Sequence, residues 1–277
     1  PMDIGVMNGL RNGGACFDTV SRFGLSCCQL STGDATLATE AIARTAREEA
    51  ARAGIRITAL WAGVPGPAAW NFREGPATLG LVPPAFRAQR IAALKRWADF
   101  AVWLGVPAII THCGFLPENM TDPEFEPVAA AIREVAAHCK ERGLEFWFET
   151  GQETPVTLLR TIETVGTGNL GINLDPANLV LYGKANPVDA LAVFGRYVRE
   201  IHAKDGFYPT NPYELGREVP VGDGAVRFPE FMKALLAIGF DGDLIIEREI
   251  QEGEQQNADI RQTIARLRGW IGEYAKA

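Results

Sequence analysis

Short apolar segments alternate with longer amphipathic segments along the whole chain, and this alternation constrains the fold more than any other feature. The apolar segments are near-continuous, as is typical of parallel strands that are buried on both faces. They predict eight strands, over residues 2–8, 25–31, 57–61, 107–112, 144–149, 170–175, 198–203 and 243–248. The clearest amphipathic segments repeat apolar residues every three to four positions and predict helices over residues 35–53, 85–104, 125–142 and 259–275. Eight β-then-α units predict an α/β protein that forms a closed (β/α)8 TIM barrel.

The length of the chain fits one such barrel. Its 277 residues exceed the usual domain size, but (β/α)8 barrels commonly use about 250 residues as one domain. An open doubly wound sheet is the alternative, but no glycine-rich phosphate-binding turn follows the first predicted strand and no second domain is apparent. We therefore expect one barrel domain over residues 1–277. The loop around residues 70–81 and the outer helices carry apolar residues that would be exposed in a monomer, so we expect a homodimer or homotetramer.

The charge and cysteine content argue against several classes of protein. The formal net charge is −7, and the basic residues are scattered rather than clustered as nucleic-acid binding requires. The sequence contains no run of 18 apolar residues, so it predicts no membrane span, and the first residues do not have the pattern of a signal peptide. The five cysteines are odd in number and lack CxxC spacing, which favours reduced packing residues. We expect a cytoplasmic protein that binds neither nucleic acid nor membranes.

Four successive predicted strands end in, or close to, a side chain that can bind a metal ion. These residues are Glu149, Asp175, His202 and Glu247. The carboxyl ends of barrel strands meet at one rim, so we expect the four side chains to converge. Any one of the acidic residues alone could simply cap the helix that follows it. Three carboxylates crowded together would repel one another, and a divalent metal ion is the usual compensation.

The predicted ligand set indicates which metal ions are suitable. Three carboxylates and one imidazole suit Mn(II), Co(II) or Mg(II) better than zinc, which prefers thiolates. We expect Mn(II), with Co(II) or Mg(II) as alternatives. A six-coordinate ion with four protein ligands keeps two positions for oxygen atoms of water or of a hydroxy-carbonyl substrate.

Other residues on the same rim are candidates for substrate binding. His112 ends the fourth predicted strand and could bind a substrate hydroxyl, although a buried structural histidine explains it about as well. The longest connections, 62–84 and 204–227, leave the same rim, and long ordered loops are usually functional. Three aromatic residues there could form an apolar wall against a sugar ring, namely Trp61, Trp70 and Phe115.

Five motifs in the second half of the chain carry a resemblance to a known family. They are FWFETG at 146–151, GINLDPANL at 171–179, EIHAKDG at 200–206, VPVGDGAVRFPEF at 219–231 and LIIERE at 244–249. In this order they resemble the xylose-isomerase-like barrels of the sugar (phosphate) isomerase/epimerase family, which includes ketose 3-epimerases, hydroxypyruvate isomerases and inosose dehydratases. The resemblance implies that the four strand-end residues bind the metal ion. It also implies that Glu149 and Glu247 flank the substrate carbon as acid and base.

The chain departs from some members of this family. Ketose 3-epimerases usually carry a histidine three residues after the metal-binding aspartate, and this chain has Asn178 there, which disfavours a 3-epimerase. We expect Asn178 to contact the substrate instead. The total of three histidines argues against the trinuclear zinc centre of the related endonucleases. Lys204 and Asp205 match the family's HxKD pattern, so we expect Lys204 to contact substrate or Asp205 to orient a metal ligand; a salt bridge at the loop mouth is the alternative.

These residues support one type of chemistry with several outcomes. A metal ion that holds a carbonyl and a neighbouring hydroxyl acidifies the C–H bond between them, so that a carboxylate can remove the proton and an enediolate forms. We expect a metal-dependent isomerase or epimerase that acts on a small keto sugar, keto acid or cyclitol. A lyase that dehydrates a keto-cyclitol or cleaves a 3-keto-glycoside by β-elimination is the alternative. A non-catalytic sugar-binding barrel would predict the loss of one or more of the four ligands.

Overall fold

The eight predicted strands form a closed parallel barrel in the computed structural model of the protein, which describes residues 2–11 and 14–274. The barrel strands are β1 (Ile4–Arg11), β2 (Cys27–Thr32), β3 (Arg56–Ala62), β4 (Ala108–Thr111), β5 (Glu145–Glu149), β6 (Leu170–Leu174), β7 (Val198–Ala203) and β8 (Asp243–Ile246). Each strand pairs with the next, and β8 pairs with β1 through Leu244 and Ile4, which closes the sheet. Short strands also pair outside the barrel, Gly14–Ala15 with β1 and Asp205–Gly206 with Glu218–Val219. The prediction of a (β/α)8 TIM barrel is confirmed.

Helices follow the strands and cover the barrel. They are α1 (Asp18–Ser21), α2 (Glu40–Ala53), α3 (Gly75–Thr78), α4 (Pro84–Leu104), α5 (Phe125–Glu141), α6 (Pro155–Val165), α7 (Pro176–Leu181), α8 (Pro187–Phe194), α9 (Phe228–Ala237) and α10 (Glu254–Tyr274). The helix predicted from residue 35 differs at its start, because Ala35–Leu37 is a 3-10 turn and Thr39 then caps α2 by accepting the N–H of Ile42. The last helix begins earlier than predicted, at Glu254, and its predicted end at residue 275 lies outside the described residues.

Side chains alternate between two environments along each barrel strand. Because the side-chain period of a strand is two, every second residue points into the barrel and the others pack against the helices. The outward residues join the main hydrophobic core, whereas a separate small apolar cluster lies in the interior. That interior cluster contains Ala59, Ala108, Ile110 and Trp147. The alternation that places Trp147 inside the barrel also points Glu149, two residues later, into the interior at the carboxyl end of β5.

One buried arginine holds the long loop between β3 and α4. Arg90 of α4 has no solvent exposure, and its guanidinium donates only to backbone carbonyls of this loop. The acceptors are the carbonyl oxygens of Pro65, Pro67, Thr78 and Gly80. Buried charged donors need several such partners, and the loop supplies all of them. The path of residues 62–84 is therefore fixed by main-chain contacts to a barrel helix.

The same loop corrects one expectation about exposed apolar residues. Leu79 and Leu81 are buried, so they do not form the apolar surface that the sequence suggested for self-association. Trp70 remains 46% exposed. Association into a homodimer or homotetramer stays a prediction.

The loop after β7 folds onto Asp205. This side chain has no solvent exposure, and both of its carboxylate oxygens accept backbone N–H groups. The donors are Gly206, Gly222, Gly224 and Val226. The expectation that Asp205 orients a metal ligand or forms a salt bridge is therefore wrong, because the loop uses its whole hydrogen-bonding capacity.

Two further expectations from the sequence concern membranes and cysteines. Within the described residues, every helix is too short or too polar to cross a bilayer. Four of the five cysteines are buried, Cys16 is exposed, and all five are free thiols. The buried four pack inside the protein, as predicted.

Candidate metal centre

The four strand-end residues of the predicted metal site lie together at one end of the barrel interior. Glu149 ends β5 and His202 lies within β7, whereas Asp175 and Glu247 directly follow β6 and β8. One potential ligand atom from each residue lies within 4.8 Å of the others. His202 Nδ1 is 2.9 Å from Glu149 Oε1 and 3.4 Å from Glu247 Oε2. The closed barrel thus gathers residues that are far apart in the sequence around a volume that one metal ion could occupy.

Two buried atoms at this centre lack a hydrogen-bond partner among the described residues. They are Asp175 Oδ2 and His202 Nδ1, and neither side chain is exposed to solvent. Asp175 Oδ1 accepts the N–H of Asn178 and caps α7, and His202 Nε2 lies 2.9 Å from Gln29 Oε1. Because Gln29 Oε1 can only accept, Nε2 keeps its proton, and Nδ1 is the ring nitrogen that would bind a metal ion in place of a proton. Burial alone would lower the pKa of His202, but the Glu149 and Glu247 carboxylates raise it well above its usual value. Buried polar atoms normally have partners, so these two free atoms fit a bound cation.

The surrounding charges keep both glutamates of the centre ionised. Burial alone would raise the pKa of Glu149, but the imidazoles of His112 and His202 outweigh burial and hold that pKa well below its usual value. Burial also opposes ionisation of Glu247, yet Lys204 and His202 lower the pKa of this carboxyl to about 2. Ionised carboxylates together with an imidazole nitrogen form a donor set that suits a hard or borderline divalent cation.

A layer of buried amide and carboxyl groups supports the imidazole ligand. The Gln29 amide nitrogen donates to Glu200 Oε2 at 2.6 Å and to Asn173 Oδ1 at 3.3 Å, which fixes the amide so that its oxygen faces His202. None of these supporting residues was predicted from the sequence. The available signals were a glutamine inside the apolar run LSCCQLS and an acidic residue, Glu200, two positions before His202 on the same face of β7.

We predict that Gln29→Met weakens metal binding without displacing a metal ligand. The substitution keeps the volume of the side chain but removes the oxygen that orients the imidazole, and such outer partners are worth about 10- to 100-fold in metal affinity. The check is a calorimetric titration of the metal-free variant with Mn(II). Thr263→Val in α10 removes a different buried hydroxyl, which bonds Asp259 O, and is the control that should keep its metal affinity. Equal affinities for Gln29→Met and the parent protein would contradict the prediction.

Lys204 lies among the carboxylates rather than at the mouth of the loop. Its Nζ is 3.3 Å from Glu247 Oε2 and 3.6 Å from Asp175 Oδ2, and it also contacts Glu249. It donates to Asn178 Oδ1 at 3.3 Å. Burial alone would lower the pKa of Lys204, but these carboxylates raise it well above its usual value. Burial in turn raises the pKa of Asp175 to about 7, even though Lys204 opposes that rise. Lys204 is therefore a charged donor beside the ligand set.

The centre opens into a cavity of about 470 Å³. The predicted substrate-binding residues all line it, namely Trp61, His112, Asn178 and Lys204. Trp70 also lines the cavity, with its ring centroid 4.9 Å from that of His112. Phe115 does not: it packs 5.9 Å from Tyr182, centroid to centroid, so its expected place in the cavity wall is wrong. A wider cleft of about 960 Å³ adjoins the cavity and shares four lining residues with it, Met7, Ser31, Glu247 and Glu249.

Two side chains hold Glu149 from the cavity side. The Trp61 indole N–H donates to Glu149 Oε2, and His112 Nε2 lies 3.2 Å from the same oxygen. Burial alone would lower the pKa of His112, but the adjacent Glu149 carboxylate raises it overall. His112 is thus a buried histidine with a structural partner, and it lines the cavity as well.

Glu153, a buried carboxyl four residues after Glu149, leads us to expect that stability depends on pH. Burial raises the pKa of Glu153 to about 7, against an unperturbed value of 4.5. The folded protein therefore binds more protons than the unfolded chain between these two values, so this group makes stability fall as pH rises from 4.5 to 7. We expect Glu153→Gln to be more stable than the parent by about 3 kcal/mol at high pH, with little difference near the unperturbed pKa.

Urea unfolding of both proteins at pH about 5 and about 8 measures this difference. A chelator in every sample keeps changes in metal binding out of the comparison. A stability gain that is the same at both pH values would mean that Glu153 does not titrate as the burial argument requires.

Comparisons with known proteins agree with the geometry of the barrel. A crystal structure of a xylose isomerase domain protein from Planctomyces limnophilus is 35% identical, with a TM-score of 0.93, and the alignment covers 100% of this chain and 99% of that one. D-psicose 3-epimerase, solved in the presence of D-fructose, is 19% identical with a TM-score of 0.70 over 98% of this chain and 100% of its own, which shows a shared fold alone.

Curated relatives match a smaller part of the chain. Inosose dehydratase from Lacticaseibacillus casei is 25% identical over 150 residues, which are 47% of this chain and 49% of the dehydratase. The chain spans about half the length of the curated relatives it matches. The family model described as the xylose isomerase-like TIM barrel matches residues 17–270. The chain therefore belongs to the xylose isomerase-like TIM barrel family.

Proposed function

We propose that the protein is a divalent-metal-dependent enzyme that moves a proton at the carbon beside a carbonyl group, as an isomerase or epimerase of small keto sugars, keto acids or cyclitols. The observation that carries this proposal is the pair of buried, unpartnered atoms, Asp175 Oδ2 and His202 Nδ1, between two ionised glutamates. This arrangement supports a metal site made by Glu149, Asp175, His202 and Glu247. Mn(II) is the metal we propose, because the donor set is hard to borderline; Co(II) and Mg(II) suit the same set.

The proposed roles of the residues follow from their contacts. When bound, the metal ion would polarise the substrate carbonyl and stabilise the enediolate that forms on proton loss. Glu149 has a lowered pKa and is held by Trp61 and His112, so it is ready to accept a proton. Glu247 is ionised beside Lys204, whose ammonium can also donate to a substrate oxygen. One glutamate would accept the proton from the reacting carbon as the base. The other would return a proton as the acid, after it has taken one from solvent or, for Glu247, from the adjacent Lys204 ammonium.

A lyase is the second candidate, because one curated relative is an inosose dehydratase. The same residues would then remove the proton, and a β-hydroxyl group would leave in place of reprotonation. The third reading, a non-catalytic sugar-binding barrel, is disfavoured because all four potential ligands are present and converge. A cytoplasmic location also stays a prediction from the sequence.

Incubation of the Mn(II)-loaded protein in D2O tests the proposed function. The compounds tested are a ketohexose, a keto-cyclitol, a keto acid and a ketose phosphate. Proton NMR follows the loss of proton signal from each compound. Proton exchange at the carbon beside the carbonyl, lost on treatment with a chelator, supports proton transfer. A new stereoisomer or a shifted carbonyl then indicates an isomerase or epimerase, whereas release of water indicates a lyase. Metal-loaded protein that exchanges no proton in any of these compounds would contradict the proposal.

A further inference from the structure

Three buried polar groups in the cavity wall have atoms without a partner among the described residues. They are both polar atoms of the Gln152 amide, the Tyr182 hydroxyl and His112 Nδ1. The three side chains are 1%, 5% and 8% exposed, respectively, and all line the cavity beside the metal centre.

The fold alone does not account for these free atoms. A buried hydroxyl or amide that has lost water and gained no partner destabilises the folded state, and such groups are rare in native proteins. Packing supports the Tyr182 ring from behind, through Phe72 and Phe115 at centroid distances of 6.1 and 5.9 Å. The ring is therefore held in place while its hydroxyl stays available. A molecule inside the cavity is the partner that these groups lack.

The charge of the cavity restricts what that molecule can be. Lys204 is the only lysine or arginine among the described residues that line the cavity, and Asp175, Glu247 and Glu249 already surround it. The His112 imidazole also lines the cavity, but it already faces Glu149. Glu149 adds a further negative charge. The positive charges of a divalent cation, Lys204 and a protonated His112 together do not exceed the negative charges of the four carboxylates. A phosphate or carboxylate on the substrate would enter an environment with no free positive charge.

The adjoining cleft does contain arginines, but acidic or amide groups already bind them. Arg248 pairs with Glu218 and Asp259. Arg11 pairs with Glu252, and Arg22 donates to Asn257. An anionic group placed in this cleft would have to displace these partners.

We propose that Gln152 and Tyr182, together with His112 Nδ1, form a hydroxyl-binding subsite, and that the substrate is a neutral polyhydroxylated ketone rather than a sugar phosphate or a keto acid. The inference rests on the proposed function for the position of the substrate carbonyl at the metal ion. The amide offers both donors and an acceptor, and the phenol offers one donor and an acceptor. Together they can bind two neighbouring hydroxyl groups of a sugar or cyclitol.

The test compares matched neutral and anionic ligands on the Mg(II)-loaded protein. The ligands are D-fructose, a keto-inositol, D-fructose 6-phosphate and 5-keto-D-gluconate, and NMR titration gives their dissociation constants. At least one neutral ketone should bind more than about 10-fold more tightly than either anion. Tyr182→Phe and Gln152→Leu should each weaken its binding by roughly 3- to 10-fold, the range for one neutral hydrogen bond.

Two controls separate ligand binding from folding. Tyr208→Phe removes a phenol that donates to Ala185 O outside the cavity, and it should leave ligand binding unchanged. Tyr182→Phe removes a hydroxyl with no hydrogen-bond partner among the described residues, so its melting temperature should not fall. If Gln152→Leu fails to fold, Tyr182→Phe still decides the question.

Several outcomes would overturn the subsite. The first is that the anions bind as tightly as the neutral ketones. The second is that neither substitution weakens the binding of a neutral ketone, and the third is that no neutral ketone binds. Deuterium exchange in the same samples separates this inference from the proposed function. If a neutral ketone binds but exchanges no proton, the subsite stands and the proposed reaction is contradicted. If only an anionic ligand exchanges protons, the proposed reaction stands and the subsite is contradicted.

Discussion

Asp175→Asn is expected to lower the affinity for Mn(II) by more than about 100-fold, beyond the range that loss of an outer hydrogen bond produces. Asparagine is as good a helix N-cap as aspartate, so the bond from Asn178 N–H to the capping oxygen can persist and α7 can stay in place. What changes is Oδ2, a buried oxygen with no hydrogen-bond partner among the described residues, which is replaced by an amide nitrogen that cannot bind a metal ion. The substitution thus isolates the ligand function of this residue from its capping function.

Thermal unfolding with and without Mn(II) measures the effect independently of catalysis. A ligand at about 1,000 times its dissociation constant stabilises the folded state by about 4 kcal/mol, and Asp175→Asn should lose most of this increment. Asp34→Asn is a matched control, because Asp34 also caps a helical turn, through the N–H of Thr36, but has no place in the metal centre. If Asp175→Asn binds Mn(II) within 10-fold of the parent, the assigned ligand is wrong.

Glu149→Gln and Glu247→Gln are each expected to slow solvent deuterium exchange by about 10²- to 10⁴-fold at saturating metal. Glutamine keeps the shape of each side chain and an oxygen, but it cannot accept a proton at neutral pH. The loss should appear in kcat more than in KM, because the transferred proton matters in the transition state rather than in the bound ground state.

The controls for this prediction address metal loss and unfolding. Metal content is measured in each variant, since both glutamates are also proposed ligands. Glu134→Gln on the outer helix α5 removes a carboxylate that pairs with Lys95, and its exchange rate should match that of the parent. A variant that holds metal and keeps full exchange would exclude its glutamate as acid or base. A variant that exchanges protons without completing epimerisation would indicate which glutamate serves each face of the substrate.

Much of the fold and part of the site could be predicted from the sequence because both depend on simple periodicities. A continuous apolar run marks a strand that is buried on both faces, and a polar residue at its end marks the rim. Glu149 and Glu247 stand out in this way, at the ends of FWFE and LIIE.

Other residues could not be predicted because their partners come from distant strands. Gln29 interrupts an apolar run, and only the closed barrel brings it to His202 of β7. Asp205 has the same kind of sequence context as a metal ligand, but the loop that returns past it supplies four amide donors. Tyr182 follows a short helix, and nothing in its neighbours along the chain indicates that it reaches the cavity.

The contact between Arg90 and the rim loop has a consequence for how this barrel could diversify. The guanidinium donates hydrogen bonds to backbone carbonyl oxygens, which every amino acid provides, and to no side chain of the described loop. Substitutions at positions such as Trp70 can therefore change what the cavity wall presents while the loop keeps its course. The side chains of this loop determine what the cavity presents to a substrate, whereas its backbone carbonyls hold the loop on the barrel. A new substrate preference could therefore arise in few substitutions without passing through variants that misfold.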